Sequence, residues 1–166
     1  MNFPPAKLSD LMDPVELDFE EYVTRFDRQT GQMVSVDRHI LSAFEEGHEE
    51  DLGDVPEWQE PELEIARAMV EDEGGRFISP PSKFDFNEYR QMERFIGTLE
   101  SPEAAEQLWR AIKGKGAFRY FKDTAHRLGL LEQWYRYRDT AIKKSAVEWA
   151  EANGVAYVDD LQERGL

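Results

Sequence analysis

The sequence predicts an α+β fold in which a small antiparallel sheet packs on a mainly helical C-terminal bundle. Residues 19–36 alternate apolar and polar side chains around the turn sequence Asp27-Arg28-Gln29-Thr30-Gly31, which is typical of a β-hairpin. From Asp85 almost to the C-terminus, apolar side chains recur at helical spacing, with proline or glycine between successive segments. Since 166 residues suffice to bury a sizeable core, we expect one domain over residues 1–166.

The strands are predicted in the first half of the chain. A short helix or turn is expected over residues 8–17, and the two hairpin strands over 18–26 and 33–36. A third short strand is expected at 76–79, just before Pro80-Pro81. Three short strands can form one antiparallel sheet.

An acidic connector and two helices separate the hairpin from the third strand. Asp37 suits the N-cap of the first helix, which a glycine ends. Residues 45–64 form the connector, in which Pro56 and Pro61 interrupt regular structure. We expect Trp58 to pin this segment to the body of the protein. The second helix follows over residues 62–70.

Four helices are predicted in the C-terminal bundle. Capping residues, prolines and glycines mark their starts, which we place at Asp85, Pro102, Gly116 and Leu130. In the third of them the spacing predicts one buried apolar face, made of Phe118, Phe121, Ala125 and Leu128.

Charge is distributed unevenly along the chain. The net charge is −15, and residues 1–75 hold 21 acids and 5 bases, whereas residues 110–144 hold 10 bases and 3 acids. Two interpretations stay open. Either the acidic half docks on the basic half and the fields cancel, or a basic patch faces solvent and attracts an anionic partner.

The composition also bears on the compartment and on cofactors. The chain has no cysteine and no apolar run long enough to span a bilayer, so we expect a cytoplasmic protein with no membrane partner. No cofactor motif is present, and the acidic run around His48 lacks the residue order of a calcium-binding loop. We therefore expect no cofactor and no metal.

The basic helix from Gly116 to Leu128 is the main candidate site. Arg119, Lys122 and His126 fall at positions i, i+3 and i+7 on its polar side, and Lys115 comes just before the helix. Such a row suits phosphates or an acidic surface. The alternative is an ordinary solvated face with a local pair between Arg119 and Asp123. The segment lacks the residue order of an RNA-recognition motif and the spacing of a nucleotide-binding loop.

Arg138 is the second candidate, because it falls on the apolar side of the last helix between Trp134 and Ile142. A charge there requires an acidic partner. A carboxylate from the acidic half, or Asp85 or Glu88, would serve in a structural ion pair, and the functional alternative is an anchor for a ligand carboxylate or phosphate.

Three ordered motifs resemble a known protein family. They are PPSKFDFNEYRQME at residues 80–93, GKGAFRYFKD at 114–123 and WYRYRD at 134–139. The chain resembles the uncharacterised bacterial protein family conventionally numbered one hundred and fifty-eight, over most of its length. The resemblance implies a bacterial, cytosolic, single-domain protein, and it implies no activity, cofactor or catalytic residue.

These observations favour a non-enzymatic binding or regulatory module whose basic helix, residues 116–128, engages nucleic acid or an acidic protein surface. The alternative is a small enzyme acting on an anionic metabolite in a cleft lined by Arg119, Lys122, His126 and Arg138, although the sequence offers no nucleophile for it. A third possibility is an interaction scaffold that uses Trp58 and the acidic connector. The oligomeric state does not follow from the sequence.

Overall fold

The computed structural model describes residues 2–17 and 19–161, and it has an α+β fold as the sequence predicted. The chain forms two compact units. We call Met1–Ser82 with Ala146–Leu166 the sheet unit, and Lys83–Ser145 the helical unit. Their boundary near the C-terminus falls within one continuous helix, Leu131–Ala152.

Helices outweigh strands in the described chain. The strands are β1 Ala6–Lys7, β2 Tyr22–Asp27, β3 Gln32–Asp37, β4 Phe77–Ile78 and β5 Tyr157–Val158. The helices are α1 Leu8–Glu16, α2 Arg38–Glu46, α3 Glu60–Glu71, α4 Lys83–Phe86, α5 Glu88–Gly97, α6 Pro102–Ala111, α7 Ala117–Arg127 and α8 Leu131–Ala152. None of the helices described combines the length and the apolar character needed to cross a lipid bilayer.

The predicted hairpin and third strand form one antiparallel sheet in the order β3-β2-β4. Phe26 of β2 lies opposite both Met33 and Ile78. The turn between β2 and β3 requires Gly31, which has a φ of 73° and whose added Cβ would lie 2.8 Å from the carbonyl oxygen of Pro4. The strand pair β1 and β5 was not predicted, because a two-residue parallel pairing of distant segments has no local sequence signal.

The core of the sheet unit covers both faces of this sheet. On one face, Val23 and Val36 pack with Ile40 and Phe44 of α2 and Ala66 of α3. On the other face the buried cluster contains residues from α1, β2 and α8: Leu8, Leu11, Phe26, Ala146 and Ala150. The ring of Phe26 also meets the edge of Trp149, with 5.4 Å between ring centroids. Burial on both faces gives this short sheet its stability.

The acidic connector differs from the prediction in two respects. Pro61 lies in the first turn of α3, which begins at Glu60, because a proline there lacks only an N–H that the helix does not use. The side chain of Trp58 is 77% exposed, so the prediction that it pins the connector to the body is wrong. Trp58 lies in the short 3₁₀ turn Glu57–Gln59, none of whose residues is buried.

The helical unit has its own aromatic core. Phe95 and Phe121 pack against Trp134 with ring centroids 5.5 Å and 4.9 Å from it. The helix predicted to begin at Asp85 begins instead at Glu88, and the short helix α4 precedes it. Asn87, with a φ of 52°, caps α5 by accepting a hydrogen bond from the backbone N–H of Arg90.

Candidate functional site

Helix α7 is the basic helix that the sequence singled out, and its start depends on Gly116. This residue has a φ of 75°, and a Cβ placed on it would lie 3.1 Å from the ring of Tyr120. Glycine therefore permits both the left-handed backbone and the close approach of the Tyr120 ring. The ring lies against the turn that leads into the helix.

The buried face of α7 differs from the predicted face by one position. Ala117, Phe121 and Ala125 are buried, whereas Phe118 is 48% exposed. The prediction that Phe118 belongs to the buried face is wrong, because Ala117 occupies the stripe at i, i+4 and i+8 and Phe118 lies about 100° away around the helix. An aromatic ring is thereby left on the surface.

The row predicted for ligand binding lies on the side of α7 opposite the core. Arg119, Lys122 and His126 are all exposed, and so is Lys115 in the preceding turn. The guanidinium Nε of Arg119 lies 3.9 Å from Oδ2 of Asp123, and both side chains are highly exposed, so this pair contributes little. Within the described chain, the side chains of Lys122 and His126 make no hydrogen bond or ion pair.

A groove of about 720 Å³ runs between α6 and α7. Its α6 wall carries Glu103, Glu106, Gln107 and Arg110. Its α7 wall carries Tyr120, Thr124 and Arg127, at the spacing i, i+4 and i+7 of one helical face. The prediction from sequence missed this groove. The signal available in the sequence was one largely polar face on each of the two helices, since these faces contribute no large apolar residue to the core.

Lys113 joins the groove from the turn between the two helices. Its ammonium group and the guanidinium of Arg127 form no ion pair with any described residue, whereas Arg110 pairs with Glu106 on its own helix. Two basic side chains in the groove are therefore available to an anionic ligand.

Arg138 lies on α8 and has the acidic partner that the sequence required. Its Nε donates a hydrogen bond to Oε1 of Glu88, and the two side chains are 20% and 18% exposed. The structural ion pair expected for Arg138 is therefore present, and Glu88 is one of the acidic partners that the sequence left open. None of the four residues of the predicted enzyme cleft lines the groove between α6 and α7.

Asp27 and Asp72 in the sheet unit have carboxyl groups with a lowered pKa. Burial raises the pKa of Asp27, but hydrogen bonds from the Arg76 side chain and the Gln29 N–H, together with the Arg76 charge, outweigh it, so the pKa lies below its usual value. Nε and Nη2 of Arg76 donate to the two carboxylate oxygens of Asp27, each at 2.9 Å. The backbone N–H groups of Phe77 and Arg76 lower the pKa of Asp72. These groups stabilise the turn into β4.

A metal centre is not formed by the part of the chain that is described, since no group of three or more histidine, aspartate or glutamate residues there is arranged to hold an ion. What the helical unit offers is a set of exposed basic and aromatic side chains.

The chain matches a family model described as Uncharacterised protein family (UPF0158) over residues 54–163. It is also 28% identical, over 97 residues, to a UPF0158 protein of Pseudomonas aeruginosa. That match covers 58% of this chain and 61% of the relative, so the chain spans about three fifths of the relative's length. No solved structure matches.

Proposed function

Because this chain belongs to the uncharacterised protein family UPF0158, whose description carries no activity, we propose its function from its own side chains. The protein is a cytoplasmic bacterial binding module that engages nucleic acid through the exposed face of α7. The observation that carries the proposal is the row Arg119, Lys122 and His126, which faces solvent on the side of α7 opposite the core.

The spacing of this row suits a phosphate backbone. Arg119 and His126 are separated by seven residues, or about 10 Å along a helix axis. One strand of B-DNA rises only about 3.4 Å per phosphate along the duplex axis, so a row of this length can reach more than one phosphate. Backbone contacts of this kind hold nucleic acid without reading its sequence.

The exposed ring of Phe118 adds a second feature that nucleic-acid surfaces share. Phe118 lies four residues before Lys122, so the two side chains are neighbours on the helix surface. An aromatic ring beside a basic side chain offers one stacking partner and one phosphate partner. An acidic protein surface would use the basic row but would have no such use for the ring.

The enzyme alternative has less support. Arg138, which it assigned to the cleft, is held by Glu88, and the other three residues lie on an exposed helix face. The scaffold alternative rests on the exposure of Trp58 alone.

Fluorescence anisotropy of labelled single- and double-stranded RNA and DNA tests the proposal, at about 50 and 200 mM salt. We expect saturable binding by the unaltered protein that weakens with salt. The variant Arg119→Glu/Lys122→Glu should lose this binding, because it replaces two cations with two anions.

The matched control is Arg90→Glu/Arg94→Glu. It makes the same change in net charge on two exposed residues of α5. Circular dichroism confirms that each variant is folded. Absence of binding at the lower salt concentration, or equal loss in the two variants, would overturn the proposal.

A further inference from the structure

The groove between α6 and α7 is large enough to hold a nucleotide, and the inference drawn from it rests on the proposed function. Its volume of about 720 Å³ lies within the range of ligand pockets, about 300–1,000 Å³. Neither Tyr120 nor Arg127 belongs to the outward row of α7. The groove is therefore a separate feature on the flank of the same helix.

Tyr120 provides an aromatic ring that is exposed to solvent and rests against the backbone at Gly116. Its side chain is 55% exposed, yet the ring lies against Gly116, where a Cβ would come within 3.1 Å. A ring held in this way loses little freedom when a base stacks on it. The phenol hydroxyl makes no hydrogen bond with any described residue.

The polar groups around Tyr120 match the rest of a nucleotide. Lys113 and Arg127 lie in the lining without ion-pair partners among the described residues, and they suit phosphates. Gln107 and Thr124 provide donors and acceptors for the edge of a base. The carboxylates of Glu103 and Glu106 can accept from base N–H groups, among them the ring N3–H of thymine and uracil.

We infer that this groove takes one unpaired base of single-stranded nucleic acid, stacked on Tyr120, with the flanking phosphates on Lys113 and Arg127. A paired base is stacked inside its duplex and cannot reach the ring. The groove therefore selects single strands, while the outward row of α7 contacts the backbone of either form.

The test compares four labelled ligands of equal length: an oligo-dT 12-mer, an oligo-U 12-mer, a fully abasic 12-mer and a 12-base-pair duplex. Replacing Tyr120→Ala should weaken binding of the two base-containing single strands about 5- to 150-fold, the range for loss of one stacked base. Binding of the abasic strand and of the duplex should change less than about twofold. Comparison of oligo-dT with oligo-U distinguishes DNA from RNA as the source of the base.

Two matched variants make the result specific to the ring in the groove. Tyr120→Phe keeps the ring and should bind like the unaltered protein. Tyr135→Ala removes another exposed tyrosine, on α8 outside the groove lining, and should also leave binding unchanged.

The outcomes separate this inference from the proposed function. If the unaltered protein binds the oligonucleotides and Tyr120→Ala binds them equally well, the inference of a base stacked on Tyr120 is wrong. The proposed function, in which the outward row of α7 contacts phosphates, would still hold. If no oligonucleotide binds, both fail. If a labelled poly-glutamate 12-mer binds as tightly as oligo-dT and loses affinity in Tyr120→Ala, the groove is a peptide site and the inference is overturned.

Discussion

Replacing Asp27 with asparagine tests how much one ion pair contributes to the sheet unit. The Asp27 side chain is only 3% exposed, and it accepts two hydrogen bonds from Arg76, each at 2.9 Å. Asparagine has nearly the same shape, so the substitution removes the charge and leaves the packing of β2 intact. In place of two hydrogen bonds between opposite charges it leaves at most one, from the Arg76 guanidinium to the neutral amide oxygen.

The expected cost follows from these contacts. A hydrogen bond to a charged group contributes about 1.5–3 kcal/mol, and removing one partner of a fully buried pair costs about 3–5 kcal/mol. The Arg76 side chain is 33% exposed, so solvent partly replaces the lost carboxylate and reduces the cost. We therefore expect Asp27→Asn to lower the free energy of unfolding by about 2–3 kcal/mol.

Urea unfolding followed by circular dichroism measures this change at pH 7. A double-mutant cycle with Arg76→Gln isolates the coupling between the two side chains, which should be at least about 1 kcal/mol. The control is Glu49→Gln, because Glu49 forms a half-exposed pair with Arg67 at 3.9 Å and should contribute less than about 0.5 kcal/mol. A loss in Asp27→Asn no larger than the control, or a coupling near zero, would refute the reasoning.

Three further predictions concern pH and the helical unit. Folding lowers the pKa of Asp27, so the contribution of this carboxylate to the free energy of unfolding is complete above the unfolded-state pKa of 3.8 and is lost as pH falls through the folded-state pKa. The urea midpoint should therefore stay constant from pH 7 to about pH 5 and decrease below about pH 4. The decrease should be smaller in Asp27→Asn. Arg138→Leu should lower the free energy of unfolding by about 2 kcal/mol, because it leaves the mostly buried Glu88 without this cation. The control Arg136→Leu changes an exposed side chain of α8 and should lower the free energy of unfolding by less than about 0.5 kcal/mol. Equal thermal midpoints for the two variants would contradict the argument. Trp134→Ala should lower the free energy of unfolding by about 3–5 kcal/mol, and Trp134→Phe by less than half of that. Phenylalanine keeps a ring in the core and removes only an indole N–H that has no hydrogen-bond acceptor among the described residues. Equal losses for the two variants in urea unfolding would contradict this explanation.

The parts of the fold that depend on near neighbours in the chain were predicted well. Asp37 caps α2 as expected, with its side chain accepting from the backbone N–H groups of His39 and Ile40. Ser101 and Pro102 begin α6 as expected, since both act within the first turn that they open. The hairpin around Gly31 is equally local.

Features that depend on burial were predicted less well. Trp58 was expected to pin the connector to the body of the protein because a large aromatic side chain is usually buried, yet it is exposed in its short 3₁₀ turn. For Phe118 the spacing of apolar residues allowed two faces one position apart, and the packing of the small Ala117 decided between them. A periodicity does not distinguish faces that overlap so closely.

The sequence by itself determined the α+β class, the capped helices, the hairpin and the basic character of α7, because each depends on residues within a few positions of one another. Only the tertiary structure decided that Phe118 and Tyr120 face solvent, that α6 and α7 leave a groove between their polar stripes, and which carboxylate pairs with Arg138. Glu88 and Arg138 are 50 positions apart in the sequence, and the way α5 and α8 pack within the helical unit brings the two side chains together. Contacts of this kind arise from the way in which whole helices pack, and no local pattern of residues specifies them.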